Sequence, residues 1–161
     1  GRDKNELGDA VKDLADKGIT VHGLQADVSI EVDNKRMADE ALRLFGKIDV
    51  LINNAGISMR ALFEELDVDV IRKVMDINFF GMIYATKYCL PEIINSKGSI
   101  VGISSIAGYR GLPARTGYSA SKFALNGFLI PFISFLISFI IELEIVIYFY
   151  SLGFYFFYII F

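Results

Sequence analysis

Apolar positions in the first two thirds of the chain recur at two spacings, and each spacing predicts an element. Leu7, Val11 and Leu14 stand three and four apart among charges, which predicts a helix over 3–17 with Gly18 as its stop. A second amphipathic helix is predicted over 31–45, with Val32, Met37, Ala41, Leu44 and Phe45 apolar and Gly46 closing it. Between them, "ITVHGLQADV" reads as a strand ending in Asp27. "IDVLINN", 48–54, is a continuous apolar run bounded by turn residues, the pattern of a strand buried on both faces of a parallel sheet. A long helical segment follows from Asp67 to Asn95, with a break expected near Asn78 or Gly81. "SIVGISS", 99–105, is a third strand, and a loop containing Gly and Pro leads to a helix carrying Tyr118 and Lys122. Strands alternating with helices imply right-handed crossovers and a doubly wound α/β sheet covered on both faces.

The pattern changes after Lys122. All 16 Lys and Arg lie at or before it, and Glu142 and Glu144 carry the only charges beyond it. The mean hydropathy of +0.45 over 161 residues therefore averages two unlike regions, a charged α/β region over 1–127 and an apolar tail over 128–161. Read as a membrane element, the tail offers uncharged runs of 14 and 17 residues, at 128–141 and 145–161. Each is short of the roughly 20 residues a span requires. Joined, they would bury Glu142 and Glu144 in the bilayer, which costs several kcal/mol. The alternative reading is sequence translated beyond the proper frame, since Phe, Ile, Leu, Tyr and Ser are what A/T-rich codons specify. That second reading accounts for more of the tail.

Charge and cysteine usage narrow the setting. A net charge of −3 gives no basic footprint, so nucleic acid is not an expected partner. The single Cys89 precludes an internal disulfide and suits a reducing compartment, so residues 1–127 are expected in the cytoplasm, with the tail as a candidate for membrane association. "GRDKNELGD" lacks the apolar core of a signal peptide, and with no initiating Met the chain reads as beginning inside a longer gene.

In a doubly wound sheet, ligands bind beyond the carboxyl ends of the strands. The residues there are Asp27–Val28, Asn53–Asn54–Ala55–Gly56 and Ser104–Ser105. Tyr118 and Lys122 are four apart, so a helix sets them on one face, about 6 Å apart along its axis. An ammonium beside a phenol favours the phenolate, and such a group can exchange a proton with an alcohol or carbonyl oxygen. Ser105 could hydrogen-bond that same oxygen. Blander roles are open for each residue. A Tyr at a helix start often only packs, a Lys one turn on is often solvated, and Asn78 could mark a helix kink. Ser104 reads as strand-end structure, and Arg60, Arg110 and Arg115 as surface charges. His22 has no cluster of ligating neighbours, so no metal is expected.

"NNAG", an Asn within the following helix, "ISS" and "YSASK" occur in that order, with thirteen residues from Ser105 to Tyr118. Together they resemble the short-chain dehydrogenase/reductase family, which uses NAD(H) or NADP(H), over about residues 1–127. The resemblance implies alcohol oxidation or carbonyl reduction by hydride transfer on a small-molecule substrate, in an enzyme that commonly forms homo-oligomers. It implies Tyr118 as general acid/base, Ser105 orienting the substrate, Lys122 holding the nicotinamide ribose, and Asn78 anchoring a proton-relay water. It places Asp27 and Val28 at the adenine side and Asn54, Ala55 and Gly56 beside the cofactor, with Tyr118 and Lys122 touching it too. Arg2 stands where members preferring NADP often carry a basic residue, which favours NADP over NAD. The family's TGxxxGxG phosphate loop is absent from the sequence, and so are the two strands that the order 3-2-1-4-5-6 places between 19–27 and 48–54. The expected sheet is therefore incomplete, with a gap of about 14 Å or a collapsed pairing. The expected chain is an impaired oxidoreductase, the alternatives being a non-catalytic membrane-associated derivative or an inactive fragment.

Overall fold

Asp3 starts the first helix in the way its side chain permits, accepting from the backbone N–H groups of Asn5 and Glu6. In the computed structural model, which describes the backbone of residues 1–139, 144–151 and 154–160 and side chains through Pro131, α1 is Lys4–Asp16. Next come α2 (Glu31–Phe45), the strand β1 (Val50–Asn53) and α3 (Val68–Met75). A π turn over Asp76–Phe80 runs into α4 (Gly81–Asn95). β2 (Ser99–Ser105) leads through a short 3-10 turn to α5 (Thr116–Phe139), then β3 (Glu144–Ser151) and β4 (Phe154–Ile160).

The sheet order is β1-β2-β3-β4, with the first three strands parallel and β4 antiparallel at the far edge. Helices pack onto β2. Ile100 is fully buried, and so is Leu129 of α5. Gly102 makes that approach feasible, because a Cβ there would clash with Leu129 Cδ1. The core continues through Ile93, Cys89 and Met82 of α4 to Ala38 of α2.

Two expectations need correction. Residues 19–27 form no strand. A strand needs a partner along its length, and this segment has one residue's worth: Gly1 N donates to Leu24 O at 3.3 Å, and Ala26 N donates to Gly1 O at 3.0 Å. The break in the long helix falls at Asn78, one of the two expected places, as the π turn. Gly81 instead permits contact, since a Cβ there would lie 2.9 Å from Val28 Cγ2 and 3.1 Å from its carbonyl oxygen. The tail, read above as a membrane element or as out-of-frame sequence, supplies a strand: β3 pairs in parallel register with all seven residues of β2.

With no strand over 19–27 there is no gap within a sheet, and β1 is an open edge. Among the described residues β1 pairs with β2 alone, and Val50 and Ile52 remain 53% and 61% exposed despite their apolar character. The reading of 128–161 as one membrane segment includes residues 140–143, which lie outside the described residues. Among the described residues, no helix is long and apolar enough to cross a membrane.

Candidate active site

The π turn gives Asn78 its position. One extra residue per turn pushes a side chain out of the regular helical stripe, and Asn78 there is 2% exposed. Its amide meets the backbone of Ile57 as a strand neighbour would: Oδ1 accepts from Ile57 N at 2.8 Å and Nδ2 donates to Ile57 O at 2.9 Å. Nδ2 also donates to Ser121 Oγ at 2.9 Å, and Ser121 Oγ donates to Tyr118 O at 2.7 Å. Only an amide side chain offers this combination of acceptor and two donors. Asn78 thereby ties the loop after β1 to the first turns of α5.

Lys122 is buried, at 5% exposure, and its Nζ donates to Ile103 O at 2.6 Å and lies 5.9 Å from the centre of the Tyr118 ring. Burial pushes its ammonium down from 10.5 to about 8. Below pH 8 both folded and unfolded chains hold the proton, and the folded chain bears the full desolvation cost. Between about 8 and 10.5 the unfolded chain binds more protons than the folded one, so stability rises with pH across that window. Lys122→Met is therefore expected to stabilise the chain at pH 7 by about 2 kcal/mol. It should also flatten the rise between pH 8 and 10.5. Urea melts of both proteins at several pH values would check this, and an unchanged slope in the variant would refute it.

Gly56 closes the same place from the other side. A Cβ on it would stand 3.3 Å from Asn78 Oδ1 and 3.8 Å from Lys122 Nζ. Gly56, Asn78, Tyr118 and Lys122 are thus brought together. Ser105 is buried at the end of β2, where its Oγ accepts from Ala107 N at 3.2 Å. Val28, Asn54 and Ala55 line a cavity of about 350 Å³ beside β1, which Asn78 also borders.

Arg2 and Asp27 pair with each other instead, 3.7 Å apart, in a separate shallow pocket shared with Asp33 and Arg36. The Ser29 hydroxyl bond, then its backbone N–H and the Arg2 charge, hold the Asp27 carboxyl below its ordinary value. Asp27 Oδ1 accepts from both groups of Ser29, at 2.7 and 2.9 Å.

Ser104 is structural, as read: its Oγ donates to Asn126 Oδ1 at 2.7 Å, while Asn126 Nδ2 donates to Gly108 O at 3.1 Å. Ser121 and Asn126 escaped the sequence reading. Ser121 had a signal, lying three residues after Tyr118 and so one helical turn along the same face. Arg115, read as a surface charge, donates to Ser58 Oγ at 2.9 Å. Beside it Ala61 N donates to Ala114 O, so the loops after β1 and β2 are joined.

A family model described as "short chain dehydrogenase" matches residues 1–131. The chain is 37% identical over 128 residues to 11-beta-hydroxysteroid dehydrogenase A of Sesamum indicum, covering 79% of this chain and 36% of that one. It is 53% identical over 92 residues to dehydrogenase/reductase SDR family member 7B of Mus musculus, covering 56% of this chain and 28% of that one. Among solved structures, a short chain dehydrogenase/reductase from Burkholderia phymatum in complex with NAD superposes with a TM-score of 0.87 at 27% identity, over 91% of this chain and 53% of that one. An alcohol dehydrogenase from Thermococcus sibiricus complexed with 5-hydroxy-NADP shares the fold, with a TM-score of 0.82 at 22% identity, over 91% of this chain and 61% of that one. The chain spans about a third of the length of the curated relatives it matches.

Proposed function

We propose that this chain, which belongs to the short-chain dehydrogenase family, carries the proton-transfer half of an NAD(P)-dependent alcohol–carbonyl oxidoreductase. The observation that carries the reading is the meeting of Tyr118, Lys122 and Asn78 beside the close-packed Gly56. A nicotinamide nucleotide fits that place in part: the glycine leaves room where a Cβ would crowd Asn78 and Lys122, and Lys122 offers a buried amine for a ribose hydroxyl. When bound, the nucleotide supplies or accepts the hydride.

The protein's share is proton management. Tyr118 holds the proton that a carbonyl oxygen takes up as it becomes an alcohol, or accepts it in the reverse direction. Lys122, charged at pH 7, stands close enough to favour the phenolate when that proton leaves. Ser105, at the end of β2, would hydrogen-bond the substrate oxygen. Asn78 fixes the loop after β1 and, in the family's pattern, anchors the water that relays the proton outward. Asp27 and Val28 would lie at the adenine side, with Asn54 and Ala55 nearer the nicotinamide. Arg2 would select a 2′-phosphate and hence NADP, in competition with its present partner Asp27.

The pyrophosphate cradle is the part that residues 1–161 do not provide. Backbone N–H groups at a glycine-rich helix start would normally supply it. The test is therefore a splice. Residues 1–127 replace the matching segment of the Sesamum indicum enzyme, and hydroxysteroid oxidation is followed with NADP and with NAD. Turnover by the splice, with none by purified 1–161 alone, is the expected result. A folded but inactive splice counts against the proton-transfer reading, and turnover by 1–161 alone counts against the need for an external cradle.

A further inference from the structure

We propose that the substrate of this proton-transfer site is anionic: a carbonyl compound, or its alcohol, whose carboxylate or phosphate is bound by Arg115 with Arg60 beside it. The substrate class presupposes the proton-transfer reading, while the anion site itself does not. Charge pairing is the first observation. Of the seven arginines in the chain, Arg2, Arg36, Arg43 and Arg72 each stand 2.7 to 3.7 Å from a carboxylate oxygen. Among the described residues, Arg60, Arg110 and Arg115 have no such partner. All three lie on the loops after β1 and β2, although the first of these loops also carries Glu64 and Glu65. The arginines left open to an anion are thus those beside the site.

The position of Arg115 is the second. It is the last residue before α5, and its carbonyl accepts from Ser119 N at 2.8 Å, so it caps the helix one turn before Tyr118. Its Nη1 donates to Ser58 Oγ at 2.9 Å, one residue beyond the Ile57 backbone that Asn78 holds. The half-buried guanidinium is thereby set at the rim of the Gly56–Asn78–Lys122 cluster. The bond to Ser58 spends only one N–H of a fork whose planar shape suits two oxygens of a carboxylate or phosphate.

Backbone conformation is the third. Ala114, immediately before Arg115, has φ 59°, the left-handed region that a Cβ disfavours. Its carbonyl accepts from Ala61 N at 2.9 Å. Such a conformation persists only where its surroundings enforce it, and it is concentrated at sites of function. Here it sets Arg115 and Arg60 on either side of one hydrogen bond between the two loops. Two cations tethered to one bond raise the local positive potential, and the first turn of α5 carries no acidic side chain to offset it. With its anion at Arg115, a substrate reaches inward toward Ser105 and Tyr118.

The test is nuclear magnetic resonance of isotopically labelled, full-length 1–161 at low ionic strength, following the Nε–Hε signal of Arg115. The probes are levulinate, 4-oxopentyl phosphate and the neutral ketone 2-hexanone. Both anions are expected to shift that signal saturably at millimolar concentration, together with the Ser105 and Tyr118 amides, and the tighter of the two names the anion. The neutral ketone should leave Arg115 unmoved. Arg115→Gln should weaken anion binding by about tenfold or more, read at the Ser105 and Tyr118 amides. Ser58→Ala removes the same internal bond but keeps the charge, and should stay within about threefold. Three outcomes overturn the proposal: no Arg115 shift with either anion, an equal shift with 2-hexanone, or a loss in Ser58→Ala that matches Arg115→Gln. The last would make the pair only a brace between loops. The titrations of the unmodified chain stand even where Arg115→Gln does not fold. Tyr118→Phe should keep the Arg115 shift, so an inactive splice with a shifted Arg115 counts against proton transfer and not against the anion site. An active splice without that shift does the opposite.

Discussion

Tyr118→Phe in the spliced enzyme is expected to lower kcat by about a thousandfold, the middle of the range for loss of a general acid/base and equivalent to about 4 kcal/mol of barrier. KM should change little, because the phenol is assigned to the moving proton and not to the bulk of substrate binding. The substitution is conservative where it matters structurally. Tyr118 is half-buried at the start of α5, and the ring face that stands 5.9 Å from Lys122 Nζ is kept in Phe. The melting temperature should therefore hold within a degree or two. A loss below tenfold with intact folding would remove Tyr118 from the chemistry and leave it the packing role that any Tyr at a helix start can have. A large loss accompanied by a collapsed melt would mean instead that the ring holds up the site.

Asn78→Leu is expected to destabilise 1–161 by about 3–5 kcal/mol in urea unfolding, among the largest effects a single substitution has here. Leu keeps the branched shape of Asn but is larger, so the loss combines broken hydrogen bonds with some overpacking. It orphans the N–H and C=O of Ile57 and removes the donor to Ser121 Oγ. Ser121→Ala deletes that last arm and the Ser121 Oγ bond to Tyr118 O, leaves the Ile57 bonds in place, and should cost about 1–2 kcal/mol. If Asn78→Leu costs no more than Ser121→Ala, the Ile57 bonds contribute nothing and Asn78 merely occupies the π turn. The same variant should speed exchange at Ile57 N–H ahead of global unfolding, since that donor has lost its acceptor.

Much of the fold was readable before any coordinates. Period-3.6 patterns located α1 and α2, the latter to its terminal residues, and the apolar run with its Gly and Ser boundaries located β2 in full. Those elements follow from local chemistry: caps such as Asp3, the left-handed Gly46 at φ 75°, and the absence of competing patterns. Residues 19–27 show where local chemistry stops. Their composition suits a strand, but strand character is completed by a neighbour, and Gly1 alone cannot furnish a ladder. The apolar tail was equally ambiguous for the opposite reason. Its side chains could suit lipid or a sheet, and it was the unfilled side of β2 that took up 144–151 as a parallel strand.

The site divides in the same way. The spacing of Tyr118 and Lys122 fixes them on one helical face, so sequence determined that pair and the family to which the chain belongs. Sequence could not determine what Asn78 does. A residue of that kind serves as kink, cap or anchor depending on what lies opposite, and Ile57 and Ser121, 21 and 43 residues away, come opposite only in the folded chain. The depressed Lys122 ammonium, the pairing of Arg2 with Asp27 and the bond from Arg115 to Ser58 are likewise tertiary facts. Each depends on burial and on distance between remote segments, and those are set when helices close over a sheet, not by the order of residues along any one of them.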